Sequence, residues 1–208
     1  MYLPTHFQQE NIDELFELIE KNSLASLIVT HDSEIEANHI PLELDRSFGE
    51  NGILRGHIAK MNHLFELLEN AQSAYVIFHA DQNYISPNWY EGKQEHHRVV
   101  PTWNYRIVHV KGIIRKVNDE KYLRGILARL TRTHEATQPI PWKMGDAPKD
   151  FIEEQLEKIV AIEVEIESIV DKFKVSQNRS KQDVENIEKA LENLNPKMAQ
   201  SVKKYFPQ

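Results

Sequence analysis

Apolar residues along the chain fall into two alternating periods. From Asn11 to Asn22, Ile12, Leu15, Phe16, Leu18 and Ile19 recur at the spacing of one helical face, which predicts an amphipathic helix. Ser23 to Thr30, Ile35 to Leu44 and Ile53 to Ala59 then read as extended segments. A turn at His31, Asp32 and Ser33 and another over Gly49 to Gly52 separate them. Connections this short cannot cross over to make parallel pairs, so the three segments predict an antiparallel meander.

Asn62 is placed to cap a short helix running to Asn70. Ser73 to His79 is an apolar run suited to a strand buried on both sides, Tyr84 to Pro87 begins another short extended piece, and Glu91 to Arg98 is a polar loop. Val99 to Val117 is rich in β-branched and aromatic residues and reads as one long or bent strand, with bends marked by Pro101 and Gly112. Asp119 to Glu135 is the clearest helix, with Asp119 as its cap and Tyr122, Leu123, Ile126, Leu127 and Leu130 on one face.

Pro139, Pro141 and Pro148 bracket a loop, and a helix from about Lys149 feeds into Ile162 to Glu167. Strict alternation there puts three apolar residues on one face and three carboxylates on the other, as in a half-solvated antiparallel strand. The tail from Gln182 is helical and divided by Pro196. Six or seven strands with inserted helices predict an α+β chain built on an antiparallel sheet or barrel.

Composition narrows the functions. The 208 residues are 40% hydrophobic and 27% charged, ordinary for a folded soluble protein, and no stretch reaches the apolar length of a membrane span. The opening residues lack the basic head and apolar run of a signal peptide, so a cytoplasmic location is expected. With no cysteine there is no disulfide, thiolate ligand or cysteine nucleophile. A net charge of -7 counts against a broad nucleic-acid surface.

Four segments carry candidate chemistry. Arg55, His57 and Ala59 share a strand face, and Lys60 and Asn62 follow at a helix start. A cation, an imidazole, an amide and free backbone N–H groups there suit a phosphate; the alternative is a solvated strand end with a capping Asn. Residues 84–90 and 101–105 place two tryptophans, three tyrosines and small polar groups beside loops, as in a ligand pocket, a dimer interface or a core. Residues 172–179 are the densest basic and amide run, either a second anion- or flavin-binding segment or a solvated loop in which Ser180 merely caps a helix.

The ten histidines, among them His57 with His63 and His96 with His97, show no metal-ligand spacing, and no phosphate loop or dinucleotide fingerprint occurs. The only candidate DNA-reading helices are C-terminal, and the first carries Asp183, Glu185, Glu188 and Glu192, which repel phosphates.

The segments MYLPTHF (1–7), EANHIP (36–41), LRGHIAKMN (54–62), YISPNWY (84–90), VPTWNY (100–105) and KVSQNR (174–179) resemble signatures of the PaiB family, in order and over nearly the whole chain. That family is described as FMN-binding negative transcriptional regulators linked to sporulation and protease production. The resemblance implies a split β-barrel like that of pyridoxamine-phosphate oxidases over residues 1–180. It also implies a helical extension over 181–208, and a homodimer holding FMN between subunits. It places the phosphate on Arg55, His57, Lys60 and Asn62 and the ring near the strand of Trp103 and Asn104, with Ser176 and Gln177 approaching from one subunit or the other. Ser86 and Lys174 are further cofactor-binding candidates. No separate catalytic acid or base stands out, so a regulator and a small FMN-dependent oxidoreductase both remain.

Overall fold

A computed structural model of the chain describes residues 1–32, 34–93 and 97–206. Ser33 of the first turn, His96 of the second histidine pair and part of the polar loop lie outside the described residues. Seven strands form one sheet: β1 (Leu24–His31), β2 (Glu34–Pro41), β3 (Glu43–Asp45), β4 (Ile53–Ala59), β5 (Gln72–Ile85), β6 (Thr102–Val117) and β7 (Ile159–Lys174). The helices are α1 (Ile12–Lys21), α2 (Leu64–Leu67), α3 (Glu120–Glu135), α4 (Lys149–Glu157), α5 (Lys181–Leu191) and α6 (Pro196–Lys204).

The strand order is β2-β1-β5-β6-β7-β4-β3, and β1 pairs antiparallel with β2 and β5, as β4 does with β3 and β7. The expected meander therefore breaks after its first hairpin. β2 ends at Pro41, which has no N–H for a ladder, and the chain resumes at Glu43 as a separate short strand. β4 then takes β7 as its partner over seven register pairs, from Ile53↔Glu165 to Ala59↔Ile159.

Alternation was legible in β7 only over Ile162 to Glu167, yet the strand runs for 16 residues, and the two pieces expected around residues 73–87 are one strand of 14. β5, hydrogen-bonded to β1 and β6 in the sheet, runs on through polar stretches such as Asp81 to Asn83. Glu163 also departs from the half-solvated pattern: it is 7% exposed, because Arg115 and Tyr122 close over it. Gly112, expected at a bend, instead permits close approach: a Cβ there would lie 2.2 Å from the Glu165 carbonyl oxygen.

The chain divides into two compact units. One comprises Met1–Leu18, His79–Val108 and Val170–Gln208; the other comprises Ile19–Phe78 and His109–Ile169. In the first, α5 and α6 bury Val184, Ile187, Leu191, Met198, Ala199 and Val202 against Ile85, Tyr90 and Val175. In the second, Leu123 and Ile126 of α3 and Leu156 of α4 bury against Ala161. Among the described residues, no helix is long and apolar enough to cross a membrane.

Candidate functional site

In the unit of residues 19–78 and 109–169, β4 sends Leu54, Gly56 and Ile58 into the core and turns Arg55 and His57 to the opposite face. Register sets Arg55 between Glu43 of β3 and Glu163 of β7, and His57 beside Ala161. Charges alternate across this face. Arg55 pairs with Asp45, Arg129 donates to Glu43 at 2.9 Å, and Arg115 Nε donates to Glu163 at 2.6 Å.

Helix α3 lies against this lattice through Tyr122, whose hydroxyl donates to Glu163 at 2.6 Å and whose ring lies 5.6 Å below the Arg55 guanidinium. Burial, and then the Glu163 carboxylate, push the Tyr122 hydroxyl up to about 12. It stays protonated as a fixed donor.

Two side-chain nitrogens on this strand remain unmatched. Arg55 Nε and His57 Nδ1 are buried and lack a hydrogen-bond partner. Buried polar atoms are seldom left so, and a pair at alternate positions of one strand face is what an anion with several acceptor oxygens would satisfy. Burial holds the His57 imidazole below its ordinary value, so it is largely neutral until a negative group arrives.

Lys60 is exposed and lines a cavity of about 450 Å³ with Asn118, Asp119, Arg124 and Glu157, over a floor that includes Leu123, Leu156 and Ala161. Asn62 is already engaged: its amide donates to Asn38 at 2.7 Å and its carbonyl oxygen accepts the Leu64 N–H at 2.9 Å. The N-cap of α2 is His63, however, without a side-chain cap bond, and the helix stops at Leu67 rather than at the expected Asn70.

In the other unit, β6 and the end of β7 bring Asn104 and Ser176 together. Asn104 is 0% exposed, donates to Ser176 Oγ at 2.8 Å and accepts from it at 3.1 Å. Ser176 has φ +67°, a left-handed conformation rare outside glycine, and the hooked turn after β7 holds it there. Gln177 stiffens that turn by accepting the Val175 N–H at 2.8 Å and donating to the Phe173 carbonyl. Lys174 donates to Thr102 Oγ1. Trp103 is 54% exposed and meets Tyr84 edge to face at 6.0 Å, and Ser86 accepts the Asn88 N–H at 3.2 Å.

Of the ten residues singled out from sequence, Arg55, His57, Lys60 and Asn62 therefore lie in one unit, and Ser86, Trp103, Asn104, Lys174, Ser176 and Gln177 in the other. Asn62, Ser86, Asn104, Ser176 and Gln177 spend their polar groups on shaping the backbone or on one another. Arg55, His57, Lys60, Trp103 and Lys174 keep atoms or ring surface available. Sequence reasoning missed Asp45, Tyr122 and Glu163 around Arg55, and Thr102 beside Lys174. For Tyr122 a signal existed, since it is a polar residue on the otherwise apolar face of α3, but its meeting with Glu163 depends on that helix packing against β7, 41 residues away. Among the described residues, no three His, Asp or Glu side chains converge as a metal site would need.

A family model described as "Putative FMN-binding domain" matches residues 1–168. The chain is 28% identical to protease synthase and sporulation protein PAI 2 of Bacillus subtilis, over 93% of this chain and 90% of that one. It is 31% identical to an uncharacterized protein of Emericella nidulans, over 93% and 91% of the two chains. Among solved structures it is similar to the FAD and heme binding protein of Mycobacterium smegmatis, with a TM-score of 0.59 and 15% identity, covering 80% of this chain and 73% of that one. A conserved hypothetical protein of Mycobacterium tuberculosis gives a TM-score of 0.60 at 8% identity, covering 86% and 94%. At those identities the structures carry the fold alone, which is the α+β split-barrel class expected from the sequence.

Proposed function

The chain belongs to the family of FMN-binding domains, whose cofactor is FMN, and from that premise we propose that it is an FMN-binding homodimer of the PaiB type acting as a negative transcriptional regulator. The observation that carries the cofactor assignment is the pair of unmatched buried nitrogens, Arg55 Nε and His57 Nδ1. In this reading Arg55 and His57 hold the phosphate. Lys60 adds charge at the strand end, and Asn62 fixes the turn. The ring lies against Trp103 with Ser86 and Asn104 nearby, and Lys174, Ser176 and Gln177 border it. When bound, FMN supplies hydride and one-electron chemistry, and the protein's part is to bind, orient and tune it.

The regulatory half of the reading rests on similarity along 93% of the chain to a Bacillus protein named for protease synthesis and sporulation. Regulation is assigned to a partner, a metabolite or the redox state rather than to a helix in the major groove. The net charge is -7, and α5 presents Asp183, Glu185 and Glu188. A second reading, a small FMN-dependent oxidoreductase, is favoured by one observation: the half-exposed Trp103, next in the chain to the Thr102 that Lys174 bonds, offers a ring platform open to a second molecule.

Two measurements on FMN-loaded protein separate these readings. The regulator reading expects no sustained NADH or NADPH oxidation, and only weak anisotropy changes with promoter DNA, insensitive to sequence. Turnover of a nicotinamide donor establishes the oxidoreductase instead. Sequence-selective binding near the 10⁻⁸ to 10⁻¹¹ M range typical of specific DNA binders, steeply weakened by salt, restores direct repression.

A further inference from the structure

Lys174 ends β7 as a cation in excess of its counter-ions. By strand alternation it shares a face with Lys172, while Asp171 and Phe173 point the other way. Lys172 is 9% exposed. Its ammonium donates to the Tyr2 carbonyl at 3.0 Å and lies 5.3, 5.9 and 5.8 Å from the ring centroids of Tyr2, Phe7 and Tyr105. Arg179, beyond the hooked turn, places its guanidinium 4.7 Å from the Tyr90 ring centroid.

Aromatic rings neighbour these two cations, and Lys174 itself has only Thr102 Oγ1 as a hydrogen-bond partner among the described residues. The buried acid Asp171 accepts the Gln9 N–H at 2.8 Å. Burial first, then Lys172 and Arg179, hold the Lys174 ammonium below the ordinary lysine value. A protein rarely keeps a half-buried, unpaired ammonium among other cations unless a negative group completes the site. Beside it, at Thr102 to Asn104, the chain presents the half-exposed Trp103 braced by Tyr84.

We propose that Lys174 is the residue by which this chain distinguishes reduced from oxidised flavin. This rests on the reading above that the ring lies beside Trp103 and Asn104. The oxidised ring is neutral and gains little from a nearby ammonium. Taking up two electrons from a reductant such as dithionite, and one proton at N5, leaves the ring with one negative charge shared between N1 and the C2 carbonyl. A cation beside that edge then forms a charge-assisted contact that the oxidised ring lacks. Lys174 thus tilts the site toward the reduced cofactor, which gives a regulator of this kind a chemical means of reading redox state.

The test is anaerobic spectroelectrochemical titration of the FMN-loaded dimer, with the affinity for oxidised FMN measured in parallel. Lys174→Met is expected to lower the preference for reduced over oxidised FMN by at least tenfold. That is a fall in midpoint potential of about 30 mV for a two-electron couple. Any loss of affinity for oxidised FMN should be at least tenfold smaller than the loss for reduced FMN, and Lys174→Arg should keep the wild-type potential. Lys174→Gln keeps a donor toward Thr102 without the charge, and it is expected to give the same fall should the Met variant not fold. An unchanged potential in the Met or Gln variant, or an equal loss of affinity for both redox forms, overturns the assignment of Lys174 while leaving the cofactor reading intact. A wild-type chain that takes up no FMN contradicts the cofactor reading itself, and this inference falls with it.

Discussion

Ser176 concentrates two opposed effects at one position. Its left-handed backbone is unfavourable for a residue with a Cβ, while its hydroxyl satisfies the fully buried Asn104 amide from both sides. Ser176→Ala loses the hydroxyl and keeps the strain, and is expected to cost about 1 to 3 kcal/mol. Ser176→Gly loses the hydroxyl but relieves the backbone, so denaturant melts should find it about 1 kcal/mol more stable than the alanine variant. Equal stabilities would mean that the turn imposes no strain.

His57 gives the residue scale its pH signature. Burial holds the free imidazole below its ordinary value of 6.5, and a phosphate seated against it raises that value again. FMN binding then takes up a proton, so affinity should rise as pH falls through the raised bound-state value, as long as the phosphate keeps its second charge, whose pKa is about 6. His57→Gln should flatten that slope, and riboflavin should show none. A slope that survives in the Gln variant would locate the proton uptake elsewhere.

At the scale of elements, β6 and β7 approach closely enough that Gly112 has no room for a side chain: the first obstacles are the Glu165 backbone and Val164 Cγ1. Gly112→Ala is expected to destabilise by about 1 to 3 kcal/mol or more, since backbone cannot move aside as a side-chain tip can. A thermal melt within 1 °C of wild type would contradict that packing. The same strands mark where the sequence was informative and where it was not. Elements governed by local signals were legible: α3 with its Asp119 cap accepting the Tyr122 N–H at 2.9 Å, and β4, which spans Ile53 to Ala59 as expected.

What escaped depends on distant partners. β5 and β7 extend past their apolar stretches because neighbouring strands supply hydrogen bonds, and β4 leaves the meander because β7 is long enough to receive it. The site follows the same division. Strand alternation put Arg55 and His57 on one face, but nothing local in the sequence pairs Arg55 with Asp45 or brings Tyr122 over it.

For the whole molecule, the homodimer is a proposal of the family reading. Sedimentation at micromolar concentration is expected to give twice the chain mass of 24.3 kDa; a stable monomer that binds FMN would remove it. The central claim is narrower: this chain holds FMN by its phosphate, through Arg55 and His57. Equilibrium titration with FMN and with riboflavin, which lacks the phosphate, tests it on wild type and on Arg55→Ala and His57→Ala. Losing a charge-assisted contact costs about 1.5 to 3 kcal/mol. FMN affinity should therefore fall by roughly ten- to a hundredfold in each variant while riboflavin affinity changes little. Wild-type protein that binds the two flavins equally, or variants that lose both to the same extent, would contradict the account.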